Sequence, residues 1–261
     1  MSIILETRGL NRSFGAVTAA RDLNVQIESG EVVGVIGSNG AGKTTFINMV
    51  TGYLPPSSGE ILFEGKSIVG KSTREIIRKG MTRSFQVAQL FPEMTVLDNL
   101  LIALVAAEGP RPSFFSGLRS KSRVTRADEI LEEFAVQQYR DAIVSAVPQG
   151  ARKLIDIAMA LIGKPRMLLL DEPTSGVSVE EKFPLMDTVM LAVRRHKVTV
   201  LFVEHDMEIV ERYVSRVLAF YSGEIISDGA PAKVFGDAKV QELVIGHGHG
   251  RKTEEKERSV A

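Results

Sequence analysis

Apolar residues along the chain fall into short runs of two kinds. Ile3–Leu5, Val32–Ile36, Ile61–Phe63, Met167–Leu170, Val198–Val203 and Val217–Phe220 are compact runs bounded by glycine or polar residues, which predicts strands. Near the N-terminus Val25 and Ile27, and later Ile61 and Phe63, alternate with polar neighbours. Turn signals follow at Ser29-Gly30 and Glu64-Gly65. That pattern predicts an antiparallel sheet with one face on the core. Lys153–Ile162 and Glu180–Arg195 instead carry apolar residues at three- and four-residue spacing, which predicts helices. Strand, glycine loop, helix and buried strand in succession predict an α/β fold with a mostly parallel sheet. From about Val87 to Gly163 the strand signal vanishes, and a helical subdomain is predicted as an insertion. Residues 1–248 then form one domain. Residues 249–261, charged and without periodicity from Arg251 onward, read as a disordered tail.

Within the insertion, Gly109–Arg123 carries Pro110, Pro112, Gly117 and several basic residues and reads as an irregular excursion. Its Phe114 and Phe115 suit docking on a partner or lipid headgroup, or packing inside a solvated basic loop. The chain has 261 residues, with 44% hydrophobic and 25% charged, ordinary values for a globular protein. Its formal net charge of +0 gives no reason to expect nucleic acid as a partner. Zero cysteines exclude a disulfide scaffold and a cysteine-ligated zinc site. The longest apolar stretch, Leu97–Ala107, carries Asp98 and Asn99 and falls short of the roughly 18 residues that span a bilayer. A soluble chain is expected, with any membrane association made through a partner.

The chemistry begins with Gly37-Ser38-Asn39-Gly40-Ala41-Gly42-Lys43-Thr44-Thr45, set between a predicted strand and a helix-like stretch, Phe46–Val50. Glycines let successive N–H groups converge on an oxyanion, and the next helix adds the positive end of its dipole. Lys43 reaches the β- and γ-phosphates and the Thr44 hydroxyl suits Mg²⁺, so the segment predicts a nucleoside triphosphate site. The apolar Met167–Leu170 ends in Asp171 and Glu172. Carboxyl ends of parallel strands face the ligand crevice. Asp171 is therefore expected to hold Mg²⁺ and Glu172 to orient or deprotonate the attacking water. His247 and His249, in a Gly-His-Gly-His-Gly run with no third ligand apparent, are not expected to bind a metal.

The phosphate loop, Gln86 within Arg83-Ser84-Phe85-Gln86, Asp171-Glu172-Pro173-Thr174 and Val203-Glu204-His205-Asp206 follow one another in a familiar order. From about Ile3 to Gly246 the chain resembles an ABC transporter ATP-binding subunit. Arg83–Gln86 leading to Leu90–Val96, Glu204–Met207 and Phe114–Leu118 are similar to the branched-chain amino acid uptake branch. The resemblance implies a P-loop ATPase core with an antiparallel β subdomain and an inserted helical subdomain, and ATP with Mg²⁺ as cofactors. It implies that Phe14 stacks on adenine, that Gln86 touches Mg²⁺ and the water, and that His205 contacts the γ-phosphate.

One motif departs from that family. Where it carries Leu-Ser-Gly-Gly-Gln before a helix, this chain has Val147, Pro148, Gln149, Gly150 and Ala151, and only Gly150 matches. The signature serine reaches a partner's γ-phosphate. Pro148 has neither the hydroxyl nor an N–H to replace it, although Gln149 or Ser145 offers a substitute. Ser178 likewise stands where an aspartate or asparagine is usual. The resemblance implies an importer ATPase at the cytoplasmic face of the inner membrane. It would work with a second ATP-binding subunit whose signature is intact, two membrane permease subunits and, indirectly, an external solute-binding protein. Residues Val87, Leu90, Phe91 and Met94 would floor a groove for a permease helix or else pack in the core. An export ATPase and a low-turnover regulatory module stay open as alternatives; no guanine-reading Asn-Lys-x-Asp is present.

Overall fold

The computed structural model of the protein describes residues 2–85, 88–108 and 117–246. It begins with strands β1 (Ile3–Phe14), β2 (Val17–Glu28) and β3 (Val32–Gly37), helix α1 (Lys43–Val50), and strands β4 (Ser58–Phe63) and β5 (Lys66–Ser67). Helix α2 (Thr73–Arg78), strand β6 (Met81–Ser84) and helices α3 (Val96–Glu108), α4 (Lys121–Glu133) and α5 (Gln149–Ile162) follow. The remainder comprises β7 (Met167–Asp171), α6 (Val179–His196), β8 (Thr199–Val203), α7 (Met207–Tyr213), β9 (Arg216–Tyr221) and β10 (Glu224–Gly229), before short helices near the end. Described residues up to Thr73 and from Val203 onward form one compact unit, and Arg74–Phe202 form another.

In the first unit β1 pairs antiparallel with β2 on one side and β4 on the other, and β5 extends the sheet beyond β4. The predicted antiparallel sheet is present and longer than its apolar runs suggest. β1 continues through polar positions past a register shift between Thr7 and Leu10. There the buried Thr7 hydroxyl donates to the Leu23 carbonyl and accepts from the Val25 N–H, both at 3.1 Å. A side chain thus satisfies two backbone groups near the shift. Strand β3 pairs parallel with β9, from Val33 opposite Arg216 to Gly37 opposite Phe220. Val33, Val35 and Ile36 are fully buried, as a continuous apolar strand requires. Phe46 of α1 meets Phe220 of β9 with ring centroids 5.5 Å apart. Burial of each ring contributes roughly 1.5–3 kcal/mol and fixes the helix that starts at Lys43.

In the second unit β8, β7 and β6 lie in that order, with β6 and β7 parallel from Met81 opposite Met167 to Ser84 opposite Leu170. Leu168, Leu169 and Leu170 are buried, and so are Ile155, Ile157 and Leu161 of α5 and Met186, Val189 and Val193 of α6. Between Ser84 and Met167 the described residues contain helices and no strand, only an isolated bridge from Thr95 to Ile143. Leu97–Ala107 lies in α3, where fully buried Asn99 accepts from the Phe91 N–H and donates to the carbonyls of Phe91 and Thr95. A polar residue on that helix is therefore an internal staple for the turn before it. Of the predicted excursion, residues 109–116 lie outside the described residues and Lys121–Arg123 are helical, opening α4. Arg123 pairs with Glu108 of α3 at 2.8 Å. Phe114 and Phe115, His247 and His249, and the predicted tail lie outside the described residues. Among those described, no helix is long and apolar enough to cross a membrane.

Candidate functional site

The phosphate loop, Gly37–Thr45, joins β3 to α1 inside the first unit. Gly37 has φ 153° and Gly42 φ 105°. A Cβ on Gly37 would stand 2.5 Å from the Phe220 carbonyl oxygen, and one on Gly42 2.5 Å from that of Ala19. No other residue fits either place, so the glycines are set by close backbone approach as much as by turn geometry. The Ala41 N–H bonds the Ser38 carbonyl at 3.1 Å, and the Ala41 carbonyl accepts from the Gly223 N–H at 2.9 Å. These bonds tie the loop to its own start and to the β9–β10 turn.

Lys43 is buried, and its ammonium donates to the carbonyls of Gly37 at 2.6 Å and Ser38 at 3.1 Å. The cation lies across the loop from beneath, already desolvated. Ser38, Asn39, Gly40 and Thr44 are exposed, Thr45 is half-buried, and α1 has no side-chain cap. The uncapped start of α1, the Lys43 charge and the exposed Thr44 hydroxyl thus lie within one short segment. That is a donor set for a polyphosphate.

Phe14 ends β1 at a hairpin tip with 48% of its surface exposed. The Arg12 guanidinium covers one ring face at 4.6 Å and is itself tied to the Pro55 carbonyl at 3.0 Å. The ring is fixed on one face while much of it stays open. His205 is exposed between β8 and α7, and its N–H donates to the buried Glu204 carboxylate at 3.1 Å. Asp206 caps α7 by accepting from the Glu208 N–H at 3.2 Å. The phosphate loop, Phe14 and His205 all belong to the first unit.

Asp171 and Glu172 belong to the second, at the end of β7. The Asp171 carboxylate accepts from Arg83 at 2.5 Å, and both side chains are nearly buried. Arg83 also stacks over Phe85 at 4.8 Å. A carboxylate fixed in this way offers hard oxygen, the donor chemistry that suits Mg²⁺, and the exposed Thr44 hydroxyl has the same character. Glu172 has φ 48°, a left-handed conformation that costs a non-glycine residue about 1–3 kcal/mol. Its carbonyl accepts from the Ser175 N–H at 3.1 Å and from Lys153 Nζ at 3.2 Å. Gln86, expected near Mg²⁺, lies outside the described residues.

Three charged residues near this strand end are given no role by the sequence: Arg83, Lys153 and Asp156. Lys153 and Asp156 lie on the buried side of α5. Asp156 accepts from the Ser84 hydroxyl at 2.5 Å and from the Gln89 N–H at 2.8 Å. Burial pushes its carboxyl above the ordinary range, opposed by those two bonds and by the nearby Lys153 charge. The available signal was a lysine and an aspartate, three residues apart, interrupting the apolar periodicity of a predicted helix.

The segment matching the family signature forms the start of α5. Pro148 occupies the N-cap with φ −55° and ψ 150°, exposed and without a side-chain cap. Gln149 is turned toward the loop after β7, where its carboxamide fills the space that a Cβ on Gly176 would need. Ser145 is exposed in a short 3-10 turn. Ser178 caps no backbone group with its side chain and instead donates to Glu181 at 3.2 Å. Of the four predicted groove residues, Val87 is outside the described residues, Phe91 is 50% exposed, and Leu90 and Met94 are half-buried. A cavity of about 240 Å³ opens beside them, lined by Leu90, Pro92, Val144, Arg152 and Lys153 among others.

A phosphate loop on one strand and paired carboxylates ending another define a P-loop nucleotidase. The ABC transporter family model matches residues 20–175, and the chain belongs to that family as one of its ATP-binding cassettes, which hydrolyse ATP for transport. It is 33% identical over 251 residues to the high-affinity branched-chain amino acid transport ATP-binding protein BraF of Pseudomonas aeruginosa, covering 93% of this chain and 98% of that protein. It is 32% identical to the corresponding protein LivG of Escherichia coli K12, with the same coverage. Among solved structures, an ATP-binding cassette of an ABC transporter in its ADP conformation matches with a TM-score of 0.82 at 32% identity, over 93% of this chain and 98% of that one. A nucleotide-free cassette matches with a TM-score of 0.80 at 32% identity, over 92% and 98%.

Proposed function

We propose that this chain is the ATP-hydrolysing subunit of an importer for branched-chain or other hydrophobic amino acids, or related small solutes. What supports this most is similarity along nearly its whole length to proteins named for branched-chain amino acid transport. In this reading Gly37–Thr45 hold the triphosphate, Lys43 supplies charge at the β- and γ-phosphates, and Phe14 stacks on adenine. Thr44, Asp171 and Gln86 would hold Mg²⁺, which supplies positive charge to the phosphates when bound. Glu172 orients or deprotonates the attacking water and His205 contacts the γ-phosphate. The chain would sit peripherally at the cytoplasmic face of the inner membrane beneath two permease subunits, with the cavity beside Leu90 and the exposed Phe91 facing one of them. An external binding protein would deliver the solute.

Pro148 favours a particular pairing. The Val147–Ala151 segment offers an opposing nucleotide little beyond Gly150 and the dipole of α5. The partner ATP-binding subunit would therefore be a paralogue with an intact signature. The same observation gives a second reading some support, a low-turnover nucleotide-binding regulatory module. Reconstitution of the chain with its permeases and partner subunit in liposomes separates the two. ATP-driven uptake of labelled leucine, abolished by Glu172→Gln, is expected of the importer subunit. Tight ATP binding with no uptake of any hydrophobic amino acid supports the module.

A further inference from the structure

The buried lysine on α5 has a geometric relation to Glu172 that packing does not require. Lys153 is 3% exposed, and its ammonium donates to the Glu172 backbone carbonyl at 3.2 Å. A desolvated ammonium is retained only where its charge is answered, and Asp156, one turn further along, lies close enough to do so. Glu172 needs an external hold. Its φ of 48° is left-handed, and Pro173 after it disfavours the ordinary helical alternative. The Ser175 N–H, donating to the same carbonyl, closes the turn, and Lys153 reaches that carbonyl from another element.

The same helix meets the other end of that turn. Gln149 and Lys153 are four residues apart and so share one face of α5. The Gln149 carboxamide lies against Gly176, while a Cβ on Gly150 would stand 3.8 Å from both Val177 and Glu181. The first two turns of α5 therefore brace the loop from Glu172 to Val177 along its length, starting from the Val147–Ala151 segment. A shift or rotation at the N-terminus of α5 moves Gln149 and Lys153 together, because a helix transmits displacement as a rigid element.

We infer that Lys153 is a positioning residue for Glu172, and that the Gln149–Lys153 face carries the state of the α5 N-terminus to that carboxylate. This rests on the reading of Glu172 as the residue that orients or deprotonates water. Its consequence is that hydrolysis at this chain's own nucleotide responds to whatever engages its signature segment.

The test uses the assembled transporter with Lys153→Met, which fills the same space without charge, and Lys153→Arg, which keeps the donor. Lys153→Met is expected to lower kcat about ten- to a hundredfold. KM and the affinity for ATP, measured by nucleotide titration, should stay within about twofold, and melting should remain a single transition. Lys153→Arg should recover most of the rate. In a Glu172→Gln background, Lys153→Met should slow the residual rate no further, because both changes disable one group. An unchanged kcat in Lys153→Met, with Glu172→Gln slow, overturns the positioning role alone. Parallel loss of ATP binding and kcat, not recovered by arginine, also overturns it and makes Lys153 a structural brace. Normal turnover in Glu172→Gln removes the reading of Glu172 itself, and this inference with it.

Discussion

Lys43 and Glu172 are both held before any substrate is considered, but by opposite means. Lys43 is held by what its side chain donates to, the carbonyls of Gly37 and Ser38, and Glu172 by what its backbone accepts. Their substitutions should therefore fail differently. Lys43→Ala removes a charge-assisted donor worth roughly 1.5–3 kcal/mol, so ATP affinity should fall about ten- to a hundredfold in a nucleotide titration. Glu172→Gln keeps the shape and the backbone bonds, so ATP binding should persist while phosphate release slows about 10²–10⁴-fold. Unchanged turnover in Glu172→Gln would remove it from the base role. Arg83 adds a constraint on the neighbouring carboxylate. Its buried pairing with Asp171 sets the direction in which that group can offer oxygen.

At the scale of elements, α5 and the loop after β7 form one mechanical piece. Gly176 has φ +75°, and a Cβ there would collide with the Gln149 carboxamide. Gly176→Ala should thus destabilise the chain by more than the roughly 1–2 kcal/mol that a left-handed alanine costs. Gln149→Ala in the same chain should return the steric excess, a non-additivity read from equilibrium denaturation of the four forms.

Helix α5 also carries a contribution to stability that depends on pH. Burial first, against the bonds from Ser84 and Gln89 and the Lys153 charge, raises the Asp156 carboxyl above its ordinary value. The folded protein therefore holds that proton to higher pH than the unfolded chain does. The stability it contributes is complete below the ordinary carboxylate range and is lost as pH rises through the raised folded value. Asp156→Asn cannot ionise. Denaturant melts at a series of pH values should show the variant gaining on the parent as pH climbs from that range. A difference constant with pH would show that burial does not dominate.

At the scale of the whole molecule, the partner proposed above follows from the signature segment. A homodimer would place two Pro148 segments opposite two nucleotides. In the proposed reading, a heterodimer with an intact paralogue would keep one competent site, built on this chain's Lys43 and Glu172. Loss of one charge-assisted bond, roughly 1.5–3 kcal/mol, weakens closure more than tenfold at the defective site. Glu172→Gln in this chain should therefore abolish most turnover of the complex, and the matching change in the partner should matter much less. Robust ATPase activity from this chain alone as a homodimer would refute the asymmetry.

Much of this was legible in the sequence because the relevant signals are local. Val32–Ile36 and Met167–Leu170 announce buried strands by composition. Gly37, Gly42 and Lys43 announce a phosphate loop because only those residue types suit a tight turn with a charge behind it. Pro148 declares its missing N–H in the residue itself. The extension of β1 past Thr7 was not legible, because a hydroxyl answering two backbone groups needs the partner strand in place. The start of α4 at Lys121 was obscured by the proline- and glycine-rich residues before it.

The sequence by itself determined the fold class, the family and the identity of the groups at the phosphate loop and the end of β7. Only the tertiary structure decided how those groups are held. Arg83 stands 88 residues from Asp171, and Lys153 stands 19 from Glu172. A cation paired across such a separation leaves no periodic trace in the chain. Desolvation and hydrogen-bond geometry, which make Lys153 and Asp156 more than interruptions in an apolar stripe, exist only once α5 is packed against β6 and the loop that follows β7.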